Sequence, residues 1–189
     1  MTSAEITGRL EALGPTIRAR RGEIENARQL PPDLAEAVRQ TQVFAMSVPR
    51  AIGGLQALPA DILRAIETVA AADGSTGWCT MVGVGNNVSA GYMHESGART
   101  VFAKPDAPTA GIAAPAGAAT RVDGGVRVSG RWPFASGATH ADWLWAGCVV
   151  MKDGKPNMTP HGPEILHACV PISDVVIHDT WHVLSLIHI

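Results

Sequence analysis

Through the first half of the chain, apolar residues return every three to four positions. Ile6, Leu10, Leu13 and Ile17 form one such stripe, which predicts an amphipathic helix. The stretch PPDLAEAVRQTQVF opens with proline and acid, as helix starts do, and turns Leu34, Val38 and Val43 inward. ALPADILRAIETVAAAD repeats the signature, with Ile62, Ile66 and Val69 on one side. GSTGWCTMVGVGNNVSAGYM differs, being apolar nearly all round and rich in glycine. It predicts a buried helix whose small residues let a neighbour or a ligand come close, with Ser75 as its N-cap. ESGARTVFA predicts one further short helix.

Beyond Lys104–Gly111 the period becomes two. TRV, DGG and VRVSG read as strand, turn and strand, with Asp123-Gly124 supplying the positive-φ turn. DWLWAGCVVM is a continuous apolar run that suits a strand buried on both faces. KDGKPNMTPHGPE reads as a polar loop, and ILHACVPI and DVVIHDTW as two more strands. Helices first and strands second predict an α+β fold. Its parts are a helical domain over 1–105, a small antiparallel β-barrel or sandwich over 106–184, and an off-pattern tail over 185–189.

Composition narrows the function classes. Net charge is −2 with no basic run, which argues against nucleic acid and anionic membranes as partners. Cys79, Cys148 and Cys169 are odd in number and form no C-x-x-C, so free thiols in a reducing cytoplasm are expected. The first residues lack the apolar core of a secretory signal, and the apolar runs are too short or too broken to span a bilayer. His178 and His182 have i, i+4 spacing, but on a strand end they would stand about 13 Å apart, so no metal site is expected. GVGNNV and AIGGLQ match neither a dinucleotide nor a phosphate fingerprint, and no G-x-S-x-G elbow occurs.

The segment GRWPFASGATHADW, Gly130–Trp143, concentrates scarce aromatic residues beside a Ser-Gly. Strand alternation would put Trp132, Phe134 and Ser136 on one face. Such a face is either a core ladder ended by a turn or a platform for a flat ring. In the second case the aromatic packs on the ring, a hydroxyl bonds a heteroatom and glycine admits the backbone.

Four stretches in this order resemble the acyl-CoA dehydrogenase superfamily of flavoproteins: VPRAIGG, AADGSTGW, VDGGVRVSGRWPFASGATHADW and DTWHV. The third is the specific one. The resemblance implies a flavin, FAD or FMN, lying along Phe134, Ala135, Ser136 and Gly137, with Ser136 near the N5 edge. The leading expectation is a flavin-binding part of an acyl-CoA dehydrogenase-like oxidoreductase acting on a small organic or acyl-thioester substrate. A reduced-flavin-dependent aromatic-ring hydroxylase is the alternative, because WPFASG is similar to that branch. A non-catalytic remnant or binding module is a third reading. Dehydrogenases of the superfamily carry a T-E-P-x-x-G-S loop, and the matching AAPAGAA, Ala113–Ala119, has neither acid nor hydroxyl. The implied partners are a separate flavin reductase or an electron-transfer flavoprotein, in a homotetrameric parent. The family continues into a C-terminal helical bundle that carries the usual base, whereas this sequence reads LSLIHI after DTWHV. A truncated chain is therefore expected, and no catalytic residue is assigned.

Overall fold

The computed structural model describes residues 1–180. Six helices come first: α1 (Ser3–Ala19), α2 (Arg21–Ala27), α3 (Pro32–Gln40), α4 (Pro59–Ala72), α5 (Gly74–Asn87) and α6 (Glu95–Val101). Seven strands follow: β1 (Thr109–Val122), β2 (Gly125–Gly130), β3 (Trp143–Lys152), β4 (Lys155–Pro156), β5 (Met158–Thr159), β6 (Gly162–Pro163) and β7 (Ile165–Pro171).

The helical core follows the predicted stripes. Ile6, Leu10 and Ile17 of α1, Leu34 and Val38 of α3, and Ala65 and Val69 of α4 are buried in one cluster. A reciprocal cap starts α1: Thr2 Oγ1 accepts the Glu5 N–H, and the Glu5 carboxylate accepts the Thr2 N–H. Two expectations for α5 are corrected. Its cap is Asp73, whose carboxylate accepts the Thr76 N–H at 2.7 Å, while Ser75 is exposed. A carboxylate at that position also meets the positive end of the helix dipole. The helix is buried on one face only. Thr76, Thr80, Gly83, Val84 and Asn87 face inward, whereas Trp78, Met81 and Val88 are exposed. Its glycines do admit close neighbours: a Cβ on Gly77 would come within 2.6 Å of Ala70, and one on Gly83 within 2.6 Å of the Phe44 ring.

The main sheet runs β2-β1-β3-β4, with β7 also paired to β3, along Trp143–Val149. It is mixed rather than antiparallel, because β1 and β3 pair in parallel, Thr109 against Trp143 through Thr120 against Met151. The cause is the connection. After the β1–β2 hairpin, residues 131–142 carry the chain back to the end where β1 began, and Asp142 N–H bonds the Pro108 carbonyl there. The β1–β2 hairpin itself is as predicted, with Val122 opposite Gly125 and φ +76° at Gly124. Val126 and Val128 are half-buried, but Val122 is exposed.

The polar stretch after β3 is more ordered than a loop, folding back as β4, β5 and β6. The expected strand DVVIHDTW does not form through Thr180, and Trp181 lies outside the described residues. Ile172–Asp174 forms a 3-10 turn, and 175–180 has no regular structure. Pro171 ends β7, the Ile172 N–H bonds the Asp142 carbonyl, and Val175 packs on the cluster of Ala110, Ala138, Ala141 and Leu144. Ile172 and Val175 cover the sheet instead of extending it, whereas Val176 and Ile177 are exposed. No described helix is long and apolar enough to cross a membrane.

Candidate functional site

The predicted platform, Trp132–Gly137, is not a strand. Phe134 has φ +60° and Gly137 φ +79°, so the chain turns twice where alternation was expected. Ser136 N–H bonds the Phe134 carbonyl at 2.9 Å, and Ala138 N–H the Ala135 carbonyl at 3.1 Å. A 3-10 turn, Ala138–His140, follows directly.

These turns separate the two aromatic residues. Trp132 lies inward on the sheet, in a recess made by Gly117 and Gly130. A Cβ on Gly117 would stand 2.3 Å from its ring. Its Nε1–H donates to the Gly147 carbonyl at 2.8 Å. Trp132 is therefore a core residue, as the ladder reading had it. Phe134 is 71% exposed, as a platform would require. An aromatic residue at positive φ costs roughly 1–3 kcal/mol of backbone strain, which surrounding structure must hold in place. Ala135 packs on the small cluster beneath the loop, and Ser136 is half-buried. The Ser136 hydroxyl has no hydrogen-bond partner among the described residues. Gly137 faces α5, where a Cβ would come no closer than 4.0 Å to the Cys79 carbonyl.

Two side chains that the sequence reading missed hold the region together: His140 ties this loop to the helices, and Asn87 ties α5 to the start of β1. His140 Nε2 accepts the Leu30 N–H at 3.0 Å, and burial pushes its imidazole below the ordinary range. Asn87, fully buried at the end of α5, donates to the carbonyls of Phe44 (2.9 Å) and Ala107 (3.0 Å) and accepts from Thr109 Oγ1 at 2.7 Å. Neither position stands out in a sequence, since GNNV and GATHAD read as ordinary polar stretches. Between these ties lies a cavity of about 280 Å³, walled by Phe44, Thr80, Gly83, Pro108, Gly137 and His140. Cys79 also lines it, and burial raises that thiol to about 11, so it is protonated and unreactive at neutral pH.

The stretch Ala113–Ala119 belongs to β1 but bulges out of it. Ile112 pairs with Ala146 and Gly117 with Cys148, so five steps along β1 match two along β3. The carbonyls of Ala113 and Ala114 lie over Gly147, where a Cβ would come within 2.6 and 2.5 Å of them. His167 Nε2 lies 3.0 Å from the Ala113 carbonyl. Residues 113–116 are exposed. No cluster of three metal-ligating residues occurs among the described residues; His178 is exposed, and His182 lies outside them.

No protein-family model matches the chain. It is 36% identical over 94% of its length to the oxygenase subunit HsaA, a flavin-dependent monooxygenase of Rhodococcus jostii. It is 32% identical over 96% of its length to the oxygenase component of an FADH2-dependent resorcinol hydroxylase of a Rhizobium species. The chain spans about half the length of these relatives, 45% and 43% respectively. Among solved structures, the 3-HSA hydroxylase of Rhodococcus sp. RHA1 superposes with a TM-score of 0.84 at 34% identity, over 95% of this chain and 46% of that one. XiaF from a Streptomyces species, solved with FADH2 and glycerol, superposes at 0.85 and 29% identity over 96% of this chain and 45% of its own. These homologues are flavin-dependent monooxygenases and hydroxylases, and over nearly all its length this chain shares their fold.

Proposed function

We propose that this chain forms the flavin-facing wall of a reduced-flavin-dependent hydroxylase of ring substrates. Of the two enzyme readings, the relatives favour this alternative over the leading acyl-thioester dehydrogenase. The Ala113–Ala119 stretch agrees, having no acid or hydroxyl. The observation that carries the reading is the loop itself: an exposed Phe134 held at positive φ, followed by a half-buried Ser136 whose hydroxyl is unspent among the described residues.

These residues fit a flavin. Phe134 offers an aromatic surface, Ser136 a hydroxyl for a ring heteroatom, and Gly137 an unobstructed backbone. Bound reduced flavin would supply the activation of dioxygen. The protein's part is to orient the ring, keep water from its edge and hold a fixed polar partner there. Reduced FAD is the favoured form, because the resorcinol hydroxylase is named for FADH2 and XiaF was solved with it. The word oxygenase component implies a separate reductase, which becomes the proposed partner. The substrate is a small planar ring compound. The apolar cavity beside Gly137 is of a size to admit one.

The test is an anaerobic titration of reduced FAD into the chain. Removing the Ser136 hydroxyl deletes one hydrogen bond of about 1 kcal/mol, so Ser136→Ala should weaken binding roughly fivefold. Phe134→Ala should weaken it on the order of tenfold through lost ring packing. Affinities identical to the unaltered chain in both variants would remove the site.

A further inference from the structure

His140 links parts of the chain 110 residues apart. Leu30 is buried and stands between α2 and α3, just before Pro31, so its amide belongs to no helix ladder. Its acceptor is the imidazole. A ring nitrogen that accepts an N–H carries no proton, so His140 is neutral in this arrangement. The His140 backbone N–H bonds the Gly137 carbonyl at 3.0 Å, and the backbone bonds Ala138–Ala135 and Ser136–Phe134 continue back through the loop. Trp132 Nε1–H and Asp142 N–H hold the two ends of this segment to the sheet, and the His140 side chain anchors it to the helices.

We infer that the neutral imidazole of His140 pins the Phe134–Gly137 loop to the helical half, and that protonating this ring releases the loop. Protonation turns Nε2 into a donor facing another donor, and the Leu30 bond cannot survive. Where this reaches flavin contact, it rests on the function proposed above.

The nearby carboxylates are engaged elsewhere. Glu36 and Arg39 of α3 face the same cavity, but Arg39 draws Asp106 at 3.4 Å, Glu36 at 3.7 Å and Asp142 at 3.9 Å, and burial is what acts on the His140 ring. Cys79 of α5 remains a neutral thiol. At the end of α2, Arg28 pairs with Asp179. Thr139 Oγ1 lies 3.1 Å from Nε2, a neutral partner that can serve either ring state. Burial disfavours the charged ring, so the folded state binds its proton later than the unfolded chain does. The stability that the pin contributes is present above about pH 6.5, the ordinary imidazole value. It is lost as pH falls from there through the lower folded value.

The experiment is hydrogen exchange at the Leu30 amide of the flavin-free chain, read by NMR from pH 7.5 to 5.0 and corrected for intrinsic rates. Protection in the unaltered chain should fall on the order of tenfold towards the acid end. In His140→Gln, a neutral acceptor that does not titrate, protection should stay flat with pH. In His140→Leu it should be low throughout. Reduced-FAD affinity should fall with acid in the unaltered chain and not in His140→Gln. Protection independent of pH in the unaltered chain would overturn the pin, as would the same acid loss in His140→Gln. If His140→Leu does not fold, the comparison with His140→Gln still decides. If the chain binds no flavin at pH 7.5, the functional reading falls, while Leu30 protection still decides the pin.

Discussion

Asn87→Leu tests whether the helical half is held to the sheet by a polar clamp or by apolar packing. Asn87 has no exposed surface, and its amide bonds three partners: the Phe44 and Ala107 carbonyls, which take both N–H groups, and the Thr109 hydroxyl, which donates to Oδ1. Leucine has the same branched shape but more bulk, so no cavity opens and any overpacking adds to the loss. It leaves three buried neutral polar groups without this partner, each costing about 1–2 kcal/mol, the low end for such groups. The added apolar burial returns about 1–2 kcal/mol. The net loss should be about 2–4 kcal/mol. That is a large part of the 5–15 kcal/mol typical of a folded protein. Urea unfolding followed by far-UV circular dichroism should show the midpoint falling by about 1–2 M at unchanged slope. Thr109→Val alone should cost about 1 kcal/mol, because it unpairs only Oδ1 of Asn87. The double variant should cost less than the sum of the singles, since the orphaned hydroxyl is then gone. A loss below about 1 kcal/mol for Asn87→Leu, or strict additivity of the pair, would refute the clamp.

Three further outcomes follow from the geometry. Gly147→Ala places a methyl 2.5 Å from the Ala114 carbonyl, so the β1 bulge must move. Thermal unfolding should show a loss of about 1–3 kcal/mol, and an unchanged melting temperature would mean that the bulge is soft. Gly124 has φ +76° and open space around it, so Gly124→Val should destabilise by roughly 1–3 kcal/mol through the backbone alone, with Gly124→Asn much milder; equal melting temperatures for the two would remove the turn assignment. Asn87→Asp puts a carboxyl against two carbonyls in a buried site, raising its folded pKa above the unfolded value. Its stability, measured by denaturant midpoint, should therefore fall as pH rises from about 4 to 7, and a flat profile would contradict the burial of the clamp.

Local chemistry alone determined much of this protein. The stripe Ile6–Ile17, the proline-led α3 and the Asp123-Gly124 turn are short-range decisions. Helical spacing, a fixed proline φ and a glycine at positive φ act within a few residues. The aromatic concentration at 132–137 was legible too, because residue types in order carry that signal. What alternation missed was the path of the loop. A period of two assumes extended backbone, and Phe134 and Gly137 at positive φ break it. That conformation exists because Trp132 is drawn into the recess of Gly117 and Gly130 and His140 is tied to Leu30. Only the fold brings those partners near. The parallel pairing of β1 with β3 has the same origin, since strand direction depends on how residues 131–142 return across the sheet. The burial of Asn87 is likewise a tertiary outcome. An asparagine in GNNV looks like a surface residue until Phe44, Ala107 and Thr109 surround it with a matched set of acceptors and a donor.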